Sequence, residues 1–96
     1  MNCKIIVLNI MKYTKKKDNT PMTKIQFAFA DIQNSKSYKG VNVIDSYYKG
    51  HEVYEKLSTK DLILKPCNAE FKVFNDYYNP LAERKLLTKI NDIDLL

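Results

Sequence analysis

Three consecutive lysines, Lys15–Lys17, form the densest run of positive charge in the chain, and only Asp18 opposes them locally. Tyr13 precedes the lysines and Pro21 follows them, within a stretch of turn-forming residues. Lysine ammonium groups bind phosphate as point charges, and a tyrosine ring can stack on a nucleic-acid base. The stretch is therefore a candidate contact for a polyanion, and a solvated loop tip is the alternative interpretation.

The positive charge of the chain is concentrated in its first half. The 96 residues carry a formal net charge of +5. Residues 1–40 contain eight lysines and two aspartates, whereas residues 41–96 contain eight basic and nine acidic residues. Such a local excess favours an anionic partner and argues against a DNA-mimic inhibitor, which needs a negative surface.

The inventory of reactive side chains argues against catalysis. The sequence has a single histidine, His51, and its two cysteines, Cys3 and Cys67, are far apart. Neither an acid–base pair nor a metal cage is predicted from these residues. The two glycines, Gly40 and Gly50, are too few for a phosphate-cradling loop. We therefore expect a protein that is not an enzyme and needs no metal or cofactor.

The elements that would position these residues are mainly strands. Residues 3–13 and 23–30 are rich in β-branched and aromatic side chains and flank the lysine turn, which predicts a hairpin. Residues 41–48 predict a third strand. The predicted alternation of this strand places Val43 toward the core, and Ser46 and Tyr48 on the opposite, polar face.

The second half of the chain predicts one short helix and two further strands. Residues 51–63 contain the helical spacing, and residues 63–75 alternate as a fourth strand that places Phe74 on its polar face. Residues 76–84 predict a loop. Residues 85–96 predict a fifth strand, although their amphipathic spacing also allows a terminal helix.

This order of elements is that of an OB-fold, a five-stranded Greek-key barrel. We expect a mainly β fold with one domain spanning residues 1–96, namely a small five-stranded OB-like barrel with one short helix between strands 3 and 4. SH3-like barrels share much of the same order.

In an OB-fold, oligonucleotides lie across strands 2 and 3 between the loop joining strands 1 and 2 and the loop joining strands 4 and 5. Here the first loop carries the lysines and the second carries tyrosines and basic residues, which are the groups that bind single strands. The candidate nucleic-acid-binding residues are Lys12, Tyr13, Lys15, Lys16, Lys17, Lys24, Tyr48, Lys72, Phe74, Tyr77, Tyr78, Arg84 and Lys85.

The hairpin "YTKKKDNTPMTKIQF" and the order of elements resemble the small single-stranded DNA-binding proteins of phages and mobile elements, of the filamentous-phage gene V type. The resemblance implies an OB-fold domain, usually dimeric, that coats DNA without sequence preference. It implies phosphate-backbone contacts for Lys15–Lys17 and Lys24, and base stacking for Tyr13 and Tyr48. The family has more glycines, and it lacks the tyrosine-rich segment 76–80.

The first functional hypothesis is therefore a non-sequence-specific single-stranded DNA-binding protein of a phage or mobile element, acting in replication or recombination. The alternative is a small protein-binding module or inhibitor of a host protein, because exposed tyrosines also suit protein interfaces. A homodimer is expected under either hypothesis. The N-terminal residues do not show the long apolar region and small-residue cleavage site of a signal peptide, and no apolar run approaches about 20 residues. We therefore expect a cytoplasmic location, in a host cell if a phage encodes the protein.

Overall fold

The computed structural model describes residues 2–30, 43–75 and 83–96. Its elements are β1 (Asn2–Thr14), β2 (Pro21–Phe29), β3 (Ile44–Lys49), α1 (Glu52–Ser58), β4 (Pro66–Asn75), β5 (Glu83–Ile90) and β6 (Ile93–Asp94). Within these ranges the strands form a single antiparallel sheet in the order β3-β2-β1-β4-β5-β6. The predictions of a mainly β fold and of a short helix between the third and fourth strands are confirmed.

The long strand β1 is the centre of the sheet. It pairs with β2 from Ile5 to Thr14 and with β4 from Asn2 to Ile6. The β1–β2 register shifts between Val7 and Asn9, which leaves one extra residue on β1. A bulge of this kind bends a strand and increases its twist, and so helps the sheet to wrap around its inner face.

The core lies on that inner face and is covered at one end by α1. Phe27 of β2 and Leu87 of β5 are fully buried, and Val53 and Leu57 of α1 join them. The four-residue spacing of the two helical side chains places both on one face of the helix. The helix has seven residues, and no helix in the described ranges is long and apolar enough to span a membrane.

Side chains, and not a backbone ladder, connect β3 to β5 where the two strands approach each other. Tyr48 donates its hydroxyl hydrogen to the carbonyl oxygen of Leu87 at 2.6 Å, and the amide of Leu87 donates to Ser46 Oγ at 3.1 Å. The Ser46 hydroxyl in turn donates to the Tyr48 hydroxyl oxygen at 2.8 Å. We call these three residues the β3–β5 seam. The sheet is thus six-stranded and unclosed, and the closed five-stranded barrel stays a prediction.

The predicted orientation of the side chains of the third strand is wrong. Ser46 and Tyr48 are 1% and 5% exposed, whereas Val43 is 50% exposed. The hydroxyl groups of Ser46 and Tyr48 satisfy the backbone of Leu87, so burial of this polar pair completes a hydrogen-bond network that a valine could not form.

The C-terminal segment forms strands, and the helical alternative is wrong. It divides into β5 and β6 at Asn91, whose φ of 52° is a left-handed turn conformation that asparagine tolerates. Leu95 after β6 is 4% exposed and belongs to the core.

Candidate nucleic-acid interface

The lysine cluster lies on a hydrogen-bonded hairpin tip. The amide of Lys15 donates to the carbonyl oxygen of Thr20, and the amide of Asn19 donates to that of Lys15, both at 2.9 Å. Hydrogen bonds from Thr20 to the Asp18 carboxylate hold the pKa of that carboxyl below its usual range. Lys15–Lys17 are all exposed on this tip. The tip therefore presents three ammonium groups from a defined backbone.

The outer face of the sheet continues from this tip. Cross-strand partners share a face, so the registers of β1, β2 and β3 define two rows. These rows are Tyr13, Met22 and Lys49, and then Met11, Lys24 and Tyr47. Tyr47 is 42% exposed, and Tyr13 and Lys24 are half-buried. A shallow cavity of about 310 Å³ opens among the side chains of these rows.

The β4–β5 hairpin adds a third aromatic residue and a further cation. Phe74 pairs with Arg84, and alternation places both on the face opposite to the core pair Phe71 and Leu87. Phe74 is 49% exposed, and Arg84 is exposed. Arg84 and Asp45 line the same shallow cavity, so this end of the hairpin lies beside β3.

Together these residues form a continuous strip, which we call the aromatic–cationic band: Tyr13, Lys24, Tyr47, Arg84 and Phe74. Rings and cations alternate along it, and it crosses the strands in the spatial order β1, β2, β3, β5 and β4. The exposed lysines of the hairpin tip lie beyond its Tyr13 end.

Tyr47 is the member of the band that the sequence interpretation missed. Its hydroxyl donates to Asp45 Oδ2 at 3.3 Å. Partial burial and the negative charge of Asp45 raise the pKa of Tyr47, so the phenol stays neutral at physiological pH. A signal was present in the sequence, because Tyr47 alternates with charged Asp45 and Lys49, whereas Tyr48 alternates with Ser46.

Several predicted residues do come together. Tyr13, Lys24, Phe74 and Arg84 belong to the band. Lys72 is exposed on β4, two residues before Phe74 and on the same face of the strand. The structure thus collects into one surface residues that the sequence assigned to three separate strands and one loop.

Other predicted residues lie elsewhere. Tyr48 was expected on the surface, and its ring is buried in the β3–β5 seam, so it presents no face for stacking. The Lys12 ammonium lies 5.1 Å above the ring of Tyr54 on α1, although Lys12 also lines the shallow cavity that Tyr13, Lys24 and Tyr47 share. Lys85 pairs with Val73 on the opposite face of the hairpin from Arg84. Tyr77 and Tyr78 fall outside the described residues.

The described residues contain no group of three or more His, Cys, Asp or Glu side chains placed to hold a metal ion. The chemistry of the band is thus that of rings and cations. Comparison of the chain with protein-family models, curated proteins and solved structures found no match.

Proposed function

We propose that this protein binds single-stranded DNA without a defined sequence, and that it serves replication or recombination of a phage or mobile element in the host cytoplasm. The observation that supports the proposal is the alternation of rings and cations along the aromatic–cationic band. Phosphates alternate with bases along a single strand, and a surface that offers both partners in turn matches that polymer.

The physical contributions of the two partners differ. An exposed ring that stacks on a base contributes about 1–3 kcal/mol, whichever base is present. Tyr13, Tyr47 and Phe74 supply three such rings. The cations of the band and the hairpin tip neutralise phosphates, and the release of condensed counterions makes that part of the affinity dependent on salt.

Single strands fit this surface better than duplexes. The rings lie on a sheet face, where a stacked base must already be free of its neighbours, whereas a duplex presents stacked bases behind its phosphates. The outer face of β1, β2 and β3 is a sheet surface, and it presents no helix that could enter a major groove.

The strand order supports an OB-like barrel as the finer description of the fold. Apart from the two-residue β6 beside β5, the strand order is β3-β2-β1-β4-β5, and the first and last of these strands approach each other at the β3–β5 seam. Closure at this seam would give the five-stranded barrel, with the band across the strands that carry oligonucleotides in OB-folds. A homodimer would extend the band and belongs to the same proposal.

The first experiment is a fluorescence anisotropy titration of a labelled thymidine oligomer of about 20 nucleotides, with an unlabelled duplex of equal length as competitor. We expect saturable binding that weakens with added salt and that single strand competes far better than duplex. Absence of binding at low salt would contradict the proposal and would favour a protein partner.

The contribution of the hairpin tip is tested by charge reversal. Lys15→Glu, Lys16→Glu and Lys17→Glu together should make the dependence of log K on log salt shallower by about 2, at about 0.7 per phosphate contact. A matched control reverses Lys56, Lys60 and Lys65, which are exposed on α1 and the segment after it. An equal decrease in the salt dependence of binding in both triple variants would show that only the net charge matters and that the hairpin tip makes no specific contact.

A further inference from the structure

The shallow cavity of about 310 Å³ on the outer face of β1, β2 and β3 lies between two tyrosines of the aromatic–cationic band, and we call it the tyrosine cavity. Tyr13 and Tyr47 contribute two rings to its lining, and Met11, Lys12 and Lys24 also line it. Its volume is at the low end of the range for small-ligand pockets, which is roughly 300–1,000 Å³. The tyrosine cavity therefore has room for one planar group of the size of a nucleobase.

Lys24 is the cation placed between the two rings. It pairs directly with Met11 on β1 and with Tyr47 on β3, and Tyr13 lies diagonally across from it. Direct cross-strand neighbours have Cβ atoms about 4.5–5.5 Å apart, and diagonal neighbours are about 7–8 Å apart, which long side chains can span. The Lys12 ammonium, in contrast, lies over the ring of Tyr54. A base that stacks on Tyr47 in this cavity therefore has one edge against the half-buried Lys24 side chain.

The charged groups that line the tyrosine cavity are hydrogen-bond donors. An ammonium group has three N–H donors and no acceptor. Asp45 follows Tyr47 on the same face of β3, but its Oδ2 accepts the Tyr47 hydroxyl and its Oδ1 is closed to solvent. Asp45 lines a different cavity, together with Glu83, Arg84 and Lys85. A base in the tyrosine cavity is therefore recognised through its acceptors.

The two purines differ in what they offer to an ammonium group. Guanine presents two neighbouring acceptors, N7 and O6, and lysine or arginine contacts to them are the commonest specific contacts in protein–DNA complexes. Adenine has the N7 acceptor, but an amino donor replaces O6 and cannot accept from lysine. Both bases are purines of similar size, so they differ at this edge mainly in hydrogen-bond polarity.

We infer that Lys24 is a specificity-determining residue that makes the tyrosine cavity favour guanine over adenine. The inference rests on the proposed binding of single-stranded DNA and refines it, because it adds a preference for one base to an interface that recognises no defined sequence. The rings of Tyr13 and Tyr47 stack on either purine, and Lys24 discriminates between them. Since its ammonium group has three donors, Lys24 can contact a base and a neighbouring phosphate together.

The test compares the binding of deoxycytidine hexamers that carry one guanine or one adenine at the third position, measured by fluorescence anisotropy. We expect the wild type to bind the guanine hexamer about fivefold more tightly or better, the low end of what a base-edge contact contributes. Lys24→Met keeps an unbranched side chain without a donor and should bind both hexamers equally. The matched control is Lys16→Met on the exposed hairpin tip, which removes the same charge. It should weaken both hexamers by the same factor and retain the preference.

A change in the ligand tests the contact without any variant. Hypoxanthine is guanine without its amino group, and it differs from adenine at this edge by an oxygen in place of the amino donor. A hexamer with hypoxanthine should therefore bind the wild type as tightly as the guanine hexamer. Binding as weak as that of the adenine hexamer would overturn the inference, because it would show that an acceptor on the protein recognises the guanine amino group.

The remaining outcomes separate the inference from the proposed function. Equal affinity of the wild type for the guanine and adenine hexamers would overturn the inference, while binding of the thymidine oligomer would still support the proposed function. A guanine preference that survives Lys24→Met, or that Lys16→Met also abolishes, would overturn the role of Lys24. Failure of the hexamers and of the thymidine oligomer to bind would remove the proposed function and the inference together.

Discussion

The two sides of β3 place the same residue type in opposite environments. On the inner side, the ring of Tyr48 is buried and its hydroxyl is hydrogen-bonded within the β3–β5 seam. On the outer side, Tyr47 is 42% exposed, and its hydroxyl donates to Asp45 Oδ2. The comparison shows that a tyrosine in a small β protein stabilises the fold when its hydroxyl satisfies backbone groups, and is available for a ligand when its ring face is open.

The largest expected difference between the two tyrosines is in how much their replacement by alanine changes the free energy of unfolding. Tyr48→Ala should lower the free energy of unfolding by about 3–5 kcal/mol, since it removes a buried ring and leaves a cavity. Tyr47→Ala should change it by about 0.5 kcal/mol or less, as for most surface substitutions. Urea unfolding followed by circular dichroism measures both values.

A loss of this size is a large share of the stability of a small domain, so Tyr48→Ala could fail to fold. Tyr48→Phe keeps the ring and leaves the Leu87 carbonyl without its donor, which should cost about 1–3 kcal/mol. Equal stability of Tyr48→Phe and the wild type would show that the hydrogen bonds of the Tyr48 hydroxyl contribute nothing to stability.

The next largest effect is on binding affinity. Here we expect the replacement of Tyr47, and not that of Tyr48, to have the direct effect. Tyr47→Ala should weaken binding of a thymidine oligomer by about 1–3 kcal/mol, the contribution of one stacked base. The control is Tyr54→Ala, which removes a half-buried tyrosine of α1 that contacts Lys12 and lies outside the band. Anisotropy titrations that show the same loss for both variants would contradict the assignment of Tyr47 to the interface.

The smallest expected effect is on the pH dependence of the free energy of unfolding. Burial raises the pKa of Tyr48 above the 10.0 of a free phenol. The folded protein therefore keeps a proton that the unfolded chain releases near pH 10, and stability is retained below that pH and falls as the pH rises above it. Unfolding of the wild type and Tyr48→Phe between pH 8 and 11 should show a shallower fall for the variant.

Burial also raises the pKa of Cys67 and of Cys3, so both thiols contribute to the alkaline loss with the same sign. They are unchanged in Tyr48→Phe, and the difference between the two proteins thus isolates the phenol. Identical alkaline curves would indicate that ionisation of Tyr48 is not coupled to folding.

The hairpin and the helix could be predicted because their signals are local. Turn formers between two β-rich segments specify the β1–β2 hairpin, and the spacing of Val53 and Leu57 specifies α1. The facing of β3 could not be predicted in this way. The sequence "IDSYYK" has apolar and polar residues in both alternating sets. The amide and carbonyl of Leu87, about 40 residues away, decide which set turns inward, because the side chains of Ser46 and Tyr48 supply their hydrogen-bond partners.

The amino-acid sequence alone determines a mainly β chain and a lysine-bearing hairpin tip, because these depend on residue type and on neighbours within a few positions. The tertiary structure decides which aromatic residues are open to a ligand. Tyr13, Tyr47 and Phe74 become one surface only because the sheet brings β1, β3 and β4 together. Tyr48 leaves that surface because its hydroxyl satisfies the backbone of a distant strand.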